Sequence, residues 1–490
     1  MENLTMKLVT ANEVARCMLC LDAGCSRGCT KGIDPARAIR ALRFANHAGG
    51  AAILNRETCA DCDAPCETAC IHYDRPIRIQ KIATSMDKTQ LHTVDLSVDF
   101  CGIHCENPFF LSSSIVASGY DMCAKALEMG WAGLVYKTVG FYMPEEVSPR
   151  FDATLDTNRH FVGFKNMEQI SDKPLEENFA ILAKLKENFP TKIIVSSIMG
   201  QTDQEWTDLA RMSQAAGVDM IECNFSCPHM SSAGLGCDVG LNPDLVAQYI
   251  RATKRGTTLP VLAKMTPNLA NMEPPAMAAM QAGADGLAAI NTVKSIAHVN
   301  HETMVSRPSV RGKSAVSGYS GVSVKPIALR FIHDMAVCPA LKHAPISGMG
   351  GIETHYDTLD FLALGCGNVQ ITTAVMEYGY RIIDDLIGGL SHYMYTHNIT
   401  SVQQLVGSGL ENVIPADHLD RSSILYPKID KAQCVGCKRC YVSCYDAGHQ
   451  AIHFDPKGKA YFDPQKCVGC HLCKLVCPVR AISRGKRIPK

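Results

Sequence analysis

The chain has no excess of charge of either sign: Lys and Arg total 48, as do Asp and Glu, over 490 residues. That balance offers no electrostatic footprint for a nucleic acid, and no basic run is long enough to supply one locally. No apolar stretch approaches the ~18 residues that a membrane span needs. The opening MENLTMKLVTANEVARC lacks the charged-then-apolar pattern of a secretory leader. A soluble, cytoplasmic protein is therefore expected. Also missing is any G-x-G-x-x-G that follows a strand and opens a helix, so this chain should have no Rossmann site for a nicotinamide or FAD. Hydrophobic residues at 47% and charged residues at 20% read as globular, and the length calls for two or three domains.

Cysteine, by contrast, is abundant. There are 24, sixteen of them in two short terminal blocks. Clustered thiols in a reducing compartment signify metal or catalysis, not disulfides. In the C-terminal block Cys434, Cys437, Cys440 and Cys444 follow C-x2-C-x2-C-x3-C. Cys467, Cys470, Cys473 and Cys477 repeat it, with Pro478 after the last. This is two-cluster ferredoxin spacing, in which the fourth cysteine of each run serves the other cluster. Cys434, Cys437, Cys440 and Cys477 should hold one [4Fe–4S], and Cys467, Cys470, Cys473 and Cys444 the other. A zinc site would leave the third close cysteine and the Cys-Pro ending without a role.

The N-terminal block is less regular, with C-x2-C-x4-C-x3-C from Cys17 to Cys29 and C-x2-C-x3-C-x3-C from Cys59 to Cys70. It has too little apolar sequence to promise a core, so its eight thiols should be organised by metal, as two more clusters or as two zincs. The spacing does not partition the ligands. One helix is expected over DPARAIRALRFANHAGGAAIL, capped by Asp34 with Pro at its first position.

Between the blocks, apolar runs at 108–114, 133–139, 192–199, 220–226, 260–266, 286–292, 345–351 and 368–374 alternate with helical patterns. Eight β-then-α units predict a (β/α)8 TIM barrel. Its C-terminal face would gather Lys137 and Thr138, Asn224 to Cys227, Lys264, Asn291 and Thr292, and Gly348 to Gly351. Thr372 and Thr373 are expected on the eighth strand. Gly350 and Gly351, with Gly318, Ser320 and Gly321, offer backbone N–H groups without a blocking Cβ, as a phosphate cradle needs. Lys264 on an apolar strand needs an anionic partner, either a reduced flavin or a barrel carboxylate. Cys227 in NFSCPH is a proton donor or a small buried residue.

With these residues in view, 93–477 resembles the catalytic subunits of bacterial NAD-dependent dihydropyrimidine dehydrogenases and the C-terminal half of the single-chain animal enzymes. The stretches that carry the likeness are NPFFLSSS, KTVGF, GFKNMEQI, IECNFSCPHM, LAKMTPN, AAINTVKS, SGYSG, ISGMGGIET and QITTAVM, then the ferredoxin block. The resemblance implies a barrel that binds FMN and reduces uracil or thymine at the 5,6 double bond. It makes Cys227 the general acid, with Ser226 and His229 beside it. It makes Asn166, Asn224, Asn291 and Thr292 the pyrimidine-binding groups. Ser113, Lys137, Thr138, Lys264, Gly321, Gly350, Gly351, Thr372 and Thr373 become flavin contacts.

The N-terminal block resembles the two-cluster helical domain of the animal enzyme and of the glutamate synthase small subunit. That likeness assigns Cys17, Cys20, Cys25 and Cys70 to one cluster and Cys29, Cys62 and Cys66 to the second. The animal enzyme completes the second with a Gln. The matching position here is Ala83, with Gln80 one turn earlier and Cys59 the other candidate. In two-subunit bacterial enzymes this domain sits on the partner chain, so its fusion here is a departure. The expected layout is an α-helical iron–sulfur domain (1–85), the FMN barrel (86–400), a linker (401–428) and a ferredoxin-like domain (429–490). Electrons would come from or go to an FAD- and NAD(P)H-binding flavoprotein subunit in a hetero-oligomer. A dihydroorotate dehydrogenase is the rival enzyme, and an electron-transfer subunit without pyrimidine chemistry is the rival of another class. GFKNMEQI replaces the NSMGLPN-like loop that serves the orotate carboxylate.

Overall fold

The computed structural model describes residues 8–226 and 237–490. It divides into two compact units, Met1–Leu410 and Glu411–Lys490. In the first, eight parallel strands close into a barrel: β1 Phe109–Leu111, β2 Gly133–Val139, β3 Ile193–Ile198, β4 Met220–Asn224, β5 Val261–Lys264, β6 Gly286–Ala289, β7 Ile346–Met349 and β8 Asn368–Ile371. They follow chain order around the barrel, as right-handed βα units require. Every position of β2, β3, β4 and β5 is buried, because helices cover the outside and side chains fill the inside. The helices are α1 Tyr120–Glu128, α2 Leu175–Asn188, α3 Asp203–Ala215, α4 Pro243–Gly256, α5 Glu273–Gln281, α6 Lys325–Val337, α7 His355–Ala363 and α8 Ile383–Thr396. Local chemistry starts several of them. Thr202 caps α3, Asn242 caps α4, and Thr354 with Asp357 forms a capping box on α7. No helix among the described residues is long and apolar enough to cross a membrane.

Except for β2, the strands are shorter than the apolar runs that announce them. Thr372 lies just past the end of β8, and Thr373 opens a short helix, Thr373–Tyr378, so neither is on the strand as expected. The extra residues turn outward into the loops of the C-terminal face. Alternation of β and α also concealed a four-stranded antiparallel sheet built from two loop excursions. It runs Val293–Ser295, Ser317–Ser320, Phe161–Asn166, Phe151–Leu155. Lys165, fully buried, ties it together by donating to the carbonyls of Ser295 at 2.6 Å and Ala315 at 3.2 Å.

The N-terminal block corrects two expectations. Its helix is two: Pro35–Arg43, capped by Asp34 at 3.0 Å from the Arg37 N–H, and His47–Ile53. Ala45 breaks the run at φ +62°, and Asn46 restarts it by accepting from the Gly49 N–H at 2.9 Å. The block also owns a small apolar core, with Val14, Ile39, Leu42, Leu54, Ile77 and Ile82 buried around Cys59 and Cys66. Pro35–Arg43 docks on the barrel through Arg40, whose Nε lies 2.7 Å from Asp385 and whose Nη2 lies 2.9 Å from Asp384. In the second unit, Ser423–Ile429 pairs antiparallel with Ile482–Pro489, and Ile452–Phe454 with Ala460–Phe462.

Asp385 is 3% exposed, and burial already raises its pKa. Arg40→Met should therefore weaken the N-terminal block by about 3 kcal/mol, the cost of stranding a buried carboxylate. Faster amide exchange across Pro35–Arg43, with barrel strands unchanged, is the expected reading. Unchanged exchange there would refute the anchor.

Candidate active site

Residues that end a barrel strand or follow it converge on one face, and the sequence-expected groups do so. Ser113, Lys137, Thr138, Asn166, Asn224, Lys264, Asn291, Thr292, Gly321, Gly350, Gly351, Thr372 and Thr373 all line a single cavity. Asn166 reaches it from the antiparallel sheet, as do Phe164 and Tyr319. Ser226, fully buried, stands behind Asn224 and Asn291. Cys227 and His229 lie outside the described residues.

Two buried cations set the cavity's electrostatics. Lys264, 3% exposed, lies 3.0 Å from Glu222 of the neighbouring strand and 3.3 Å from Ser112 Oγ. The barrel-carboxylate alternative for Lys264 is thus realised, while the residue still belongs to the cavity lining. Glu222 Oε2 accepts in turn from Gln370 Nε2 at 3.0 Å, and Gln370 Oε1 is buried with no partner among the described residues. Lys137 lies 2.8 Å from Glu168, which Arg150 approaches at 3.8 Å.

A web of neutral groups occupies the floor. Asn224 Nδ2 donates to Thr138 Oγ1 at 2.9 Å, and Thr138 Oγ1 stands 2.8 Å from Ser197 and 3.1 Å from Ser113. Asn291 Nδ2 donates to Ser226 Oγ at 2.7 Å, and Ser226 Oγ donates to Asn224 Oδ1 at 3.0 Å. Each amide is held in one orientation by its neighbours. At the opposite side Ser114 meets Thr372 at 3.2 Å, and Ser320 meets Thr373 at 2.9 Å. Gly321, Gly350 and Gly351 there have φ of +93°, +126° and +80°. A Cβ on Gly351 would fall 2.9 Å from both Gly321 O and Lys325 Cβ.

This set fits FMN. A glycine- and hydroxyl-lined pocket after β7 and β8 suits the phosphate. The Lys264 ammonium and the orphan Gln370 oxygen suit the polar edge of the ring. Sequence reasoning missed Ser112, Glu222 and Gln370. For the last two the signal was the one used for Lys264, a polar residue inside an apolar strand. It also missed Glu353, a residue of the cavity lining whose carboxyl is pushed up by burial to about 7.

The cysteine sets form rings around hollows. Cys434, Cys437, Cys440 and Cys477 line one, Cys444, Cys467, Cys470 and Cys473 a second, and Cys17, Cys20, Cys25 and Cys70 a third. Among the described residues no three His, Cys, Asp or Glu side chains close on a single metal ion. The remaining N-terminal thiols also gather: Cys66 is pushed up to about 12 by burial and by neighbouring Cys29, Glu67, Cys59 and Cys62. Gly24 and Gly28 permit this, because a Cβ on either would meet Ala69 within 2.8 Å, so the segments bearing Cys25 and Cys29 lie against Cys66 and Cys70. Gln80 lies beside this group, its Nε2 donating to the Cys62 carbonyl at 2.5 Å and its backbone N–H to Glu67 at 2.8 Å.

Residues 95–394 match the family described as dihydroorotate dehydrogenase, and 427–483 match a 4Fe-4S dicluster domain. The chain is 55% identical over 395 residues to the NAD-dependent dihydropyrimidine dehydrogenase subunit PreA of Escherichia coli K12, covering 80% of this chain and 96% of that one. It is 34% identical over 330 residues to the chloroplastic dihydropyrimidine dehydrogenase (NADP(+)) of Arabidopsis thaliana, 65% of this chain and 77% of that one. Against the dihydroorotate dehydrogenase B (NAD(+)) catalytic subunit of Pyrococcus abyssi it is 34% identical over 318 residues, 64% and 99%.

Gly351→Ala should weaken FMN binding at least about tenfold, since a left-handed Ala alone costs ~1–2 kcal/mol and its Cβ has no room. Flavin retained after gel filtration measures this. Full retention would mean that the phosphate sits elsewhere.

Proposed function

Because the chain belongs to the dihydroorotate dehydrogenase family, with an FMN barrel joined to a two-cluster ferredoxin-like unit, we propose that it is a dihydropyrimidine dehydrogenase catalytic subunit, interconverting uracil or thymine with the 5,6-dihydro base. One observation carries the choice of substrate. Among the described residues the two lysines lining the cavity, Lys137 and Lys264, are both already paired with carboxylates, leaving amides and hydroxyls as the neutral recognition groups. An orotate carboxylate would want an uncommitted cation, whereas an uncharged pyrimidine wants donors and acceptors in plane. The high identity to a dihydropyrimidine dehydrogenase subunit supports the same reading.

When bound, FMN supplies the hydride chemistry at pyrimidine C6. Asn166, Asn224, Asn291 and Thr292 would orient the base through its carbonyl and N–H edges. Ser226 fixes Asn224 and Asn291, so the amides meet the base already aligned. Cys227 would place the proton on C5 during reduction and remove it in the reverse direction. Lys264, held by Glu222, would offset the negative charge that the flavin's N1–C2 region carries when reduced. The C-terminal clusters would carry electrons between the barrel and a nicotinamide-binding flavoprotein subunit, since this chain shows no dinucleotide fingerprint of its own. The reading places the complex in the cytoplasm. In the N-terminal block, Cys17, Cys20, Cys25 and Cys70 would hold one four-iron cluster. Cys29, Cys59, Cys62 and Cys66 would hold the other, with Gln80 bracing the Cys62 loop.

Reoxidation of the photoreduced chain tests the substrate: uracil should reoxidise it and orotate should not, and the reverse order would sink the proposal. Cys227→Ala should keep FMN while slowing uracil reduction by ~10²–10⁴-fold, and a loss of only a few-fold would remove the thiol from the mechanism.

The second N-terminal cage has its own check, by iron analysis. Cys59→Ala should lose about four iron atoms of roughly sixteen, and Gln80→Ala should keep them. The opposite pattern would return the ligand role to Gln80.

A further inference from the structure

The loop carrying Cys17 and Cys20 is set into the barrel. Leu19, between them, holds φ +51° and is 6% exposed within the barrel's own apolar core, which also takes in Phe44. The Leu19 carbonyl accepts from Arg381 Nη2 at 2.5 Å, and the Cys20 carbonyl from Arg381 Nη1 at 3.5 Å. Arg381 Nε donates to the Tyr378 carbonyl at 3.2 Å. The Tyr378 ring meets Phe44 edge-on at 4.9 Å, and its hydroxyl accepts from Arg43 at 2.9 Å. His160 adds a strut from the antiparallel sheet, 3.0 Å from the Ala15 carbonyl and 3.3 Å from Glu377. Tyr378 ends the helix Thr373–Tyr378, whose Thr373, Ala374 and Met376 line the cofactor cavity. Six helical residues span about 9 Å. One cysteine-ringed hollow and the cofactor cavity are therefore joined by a partly buried, hydrogen-bonded seam.

We infer that the Cys17, Cys20, Cys25 and Cys70 cage is seated to exchange electrons with the barrel's flavin within the same chain, and that Arg381 is the residue that positions it. The inference rests on the proposed reading of that cage as a four-iron cluster. Each transfer oxidises the cluster by one electron and reduces the flavin by one. Two transfers, with one proton taken from water, complete the flavin's two-electron reduction, and an external low-potential donor, here dithionite, re-reduces the cluster. Transfer weakens steeply with separation, so a clamped, shared seam is what such a route needs. Arg381 has a second effect. Reduction adds negative charge to the cluster, and a half-buried guanidinium on its ligand loop favours the reduced form, raising the potential.

The test uses the full-length protein. Cys20→Ala should lose about four iron atoms. The photogenerated flavin radical of the parent should relax faster, saturating at higher microwave power, than that of Cys20→Ala, because a nearby paramagnetic cluster is gone. Four irons lost with unchanged relaxation would overturn the seam and leave the cage standing. No iron lost would overturn the cage itself. Arg381→Gln should retain iron and FMN yet lower the midpoint potential of this cluster and slow its electron transfer to the flavin at least tenfold, while Arg381→Lys restores the potential. A potential unmoved in Arg381→Gln would remove Arg381 from the role.

Discussion

An ammonium can stay charged inside a closed barrel only if a carboxylate accompanies it, and the Lys264–Glu222 pair meets that demand. The pair spans adjacent strands whose register sets Asn224 opposite Lys264. Gln370 extends it across the barrel by donating to the other Glu222 oxygen. The interior layer just below the cavity is thus polar and internally satisfied, apart from the Gln370 oxygen left for a ligand. Everything above it, the amide web and the glycine-lined pocket, is positioned relative to this layer. Under the proposed reading the pairing also bears on selectivity, because a lysine spent on Glu222 is not available to a substrate carboxylate.

Cysteine is used in two physically different ways. In the barrel, Cys123, Cys223 and Cys366 are fully buried, and desolvation raises their thiols, so they behave as small apolar residues. In the terminal blocks the thiols face one another around hollows, where burial and then repulsion between neighbouring thiols raise their pKa; coordination to iron, as proposed for these sets, would reverse that by ionising them. Gly24 and Gly28 make the N-terminal arrangement sterically possible, and the buried Arg40 pair fastens it to α8.

Much of the architecture was legible. All eight barrel strands fell inside the apolar runs, since two-sided burial leaves an uninterrupted apolar signature. The ferredoxin-like cysteine groupings were expected from spacing, three cysteines of each from one local run and the fourth from the other, and the same groups line the two hollows. The antiparallel sheet was not legible. Its strands Phe151–Leu155, Phe161–Asn166 and Ser317–Ser320 are partly exposed, so they carry no clean period, and its pairing joins residues over 150 apart. The break at Ala45 was hidden for a related reason: Asn46 can sit inside a helix or cap one, and docking against the barrel selects the cap.

Spacing, periodicity and composition are properties of neighbouring residues, and they were enough to announce the barrel, the ferredoxin-like unit, the thiol supply and the residues that would meet at strand ends. Which charge answers Lys264, which thiols gather near Cys66, and where the loop carrying Cys17 and Cys20 rests emerge only in the folded chain. Each depends on groups far apart in the chain: Glu222 and Gln370, Cys29 and Cys66, Leu19 and Arg381. Their separation in sequence carries no record of their distance in space, and the energetic reasons for their meeting, desolvated charge and buried backbone that must find partners, exist only once the chain has closed around them.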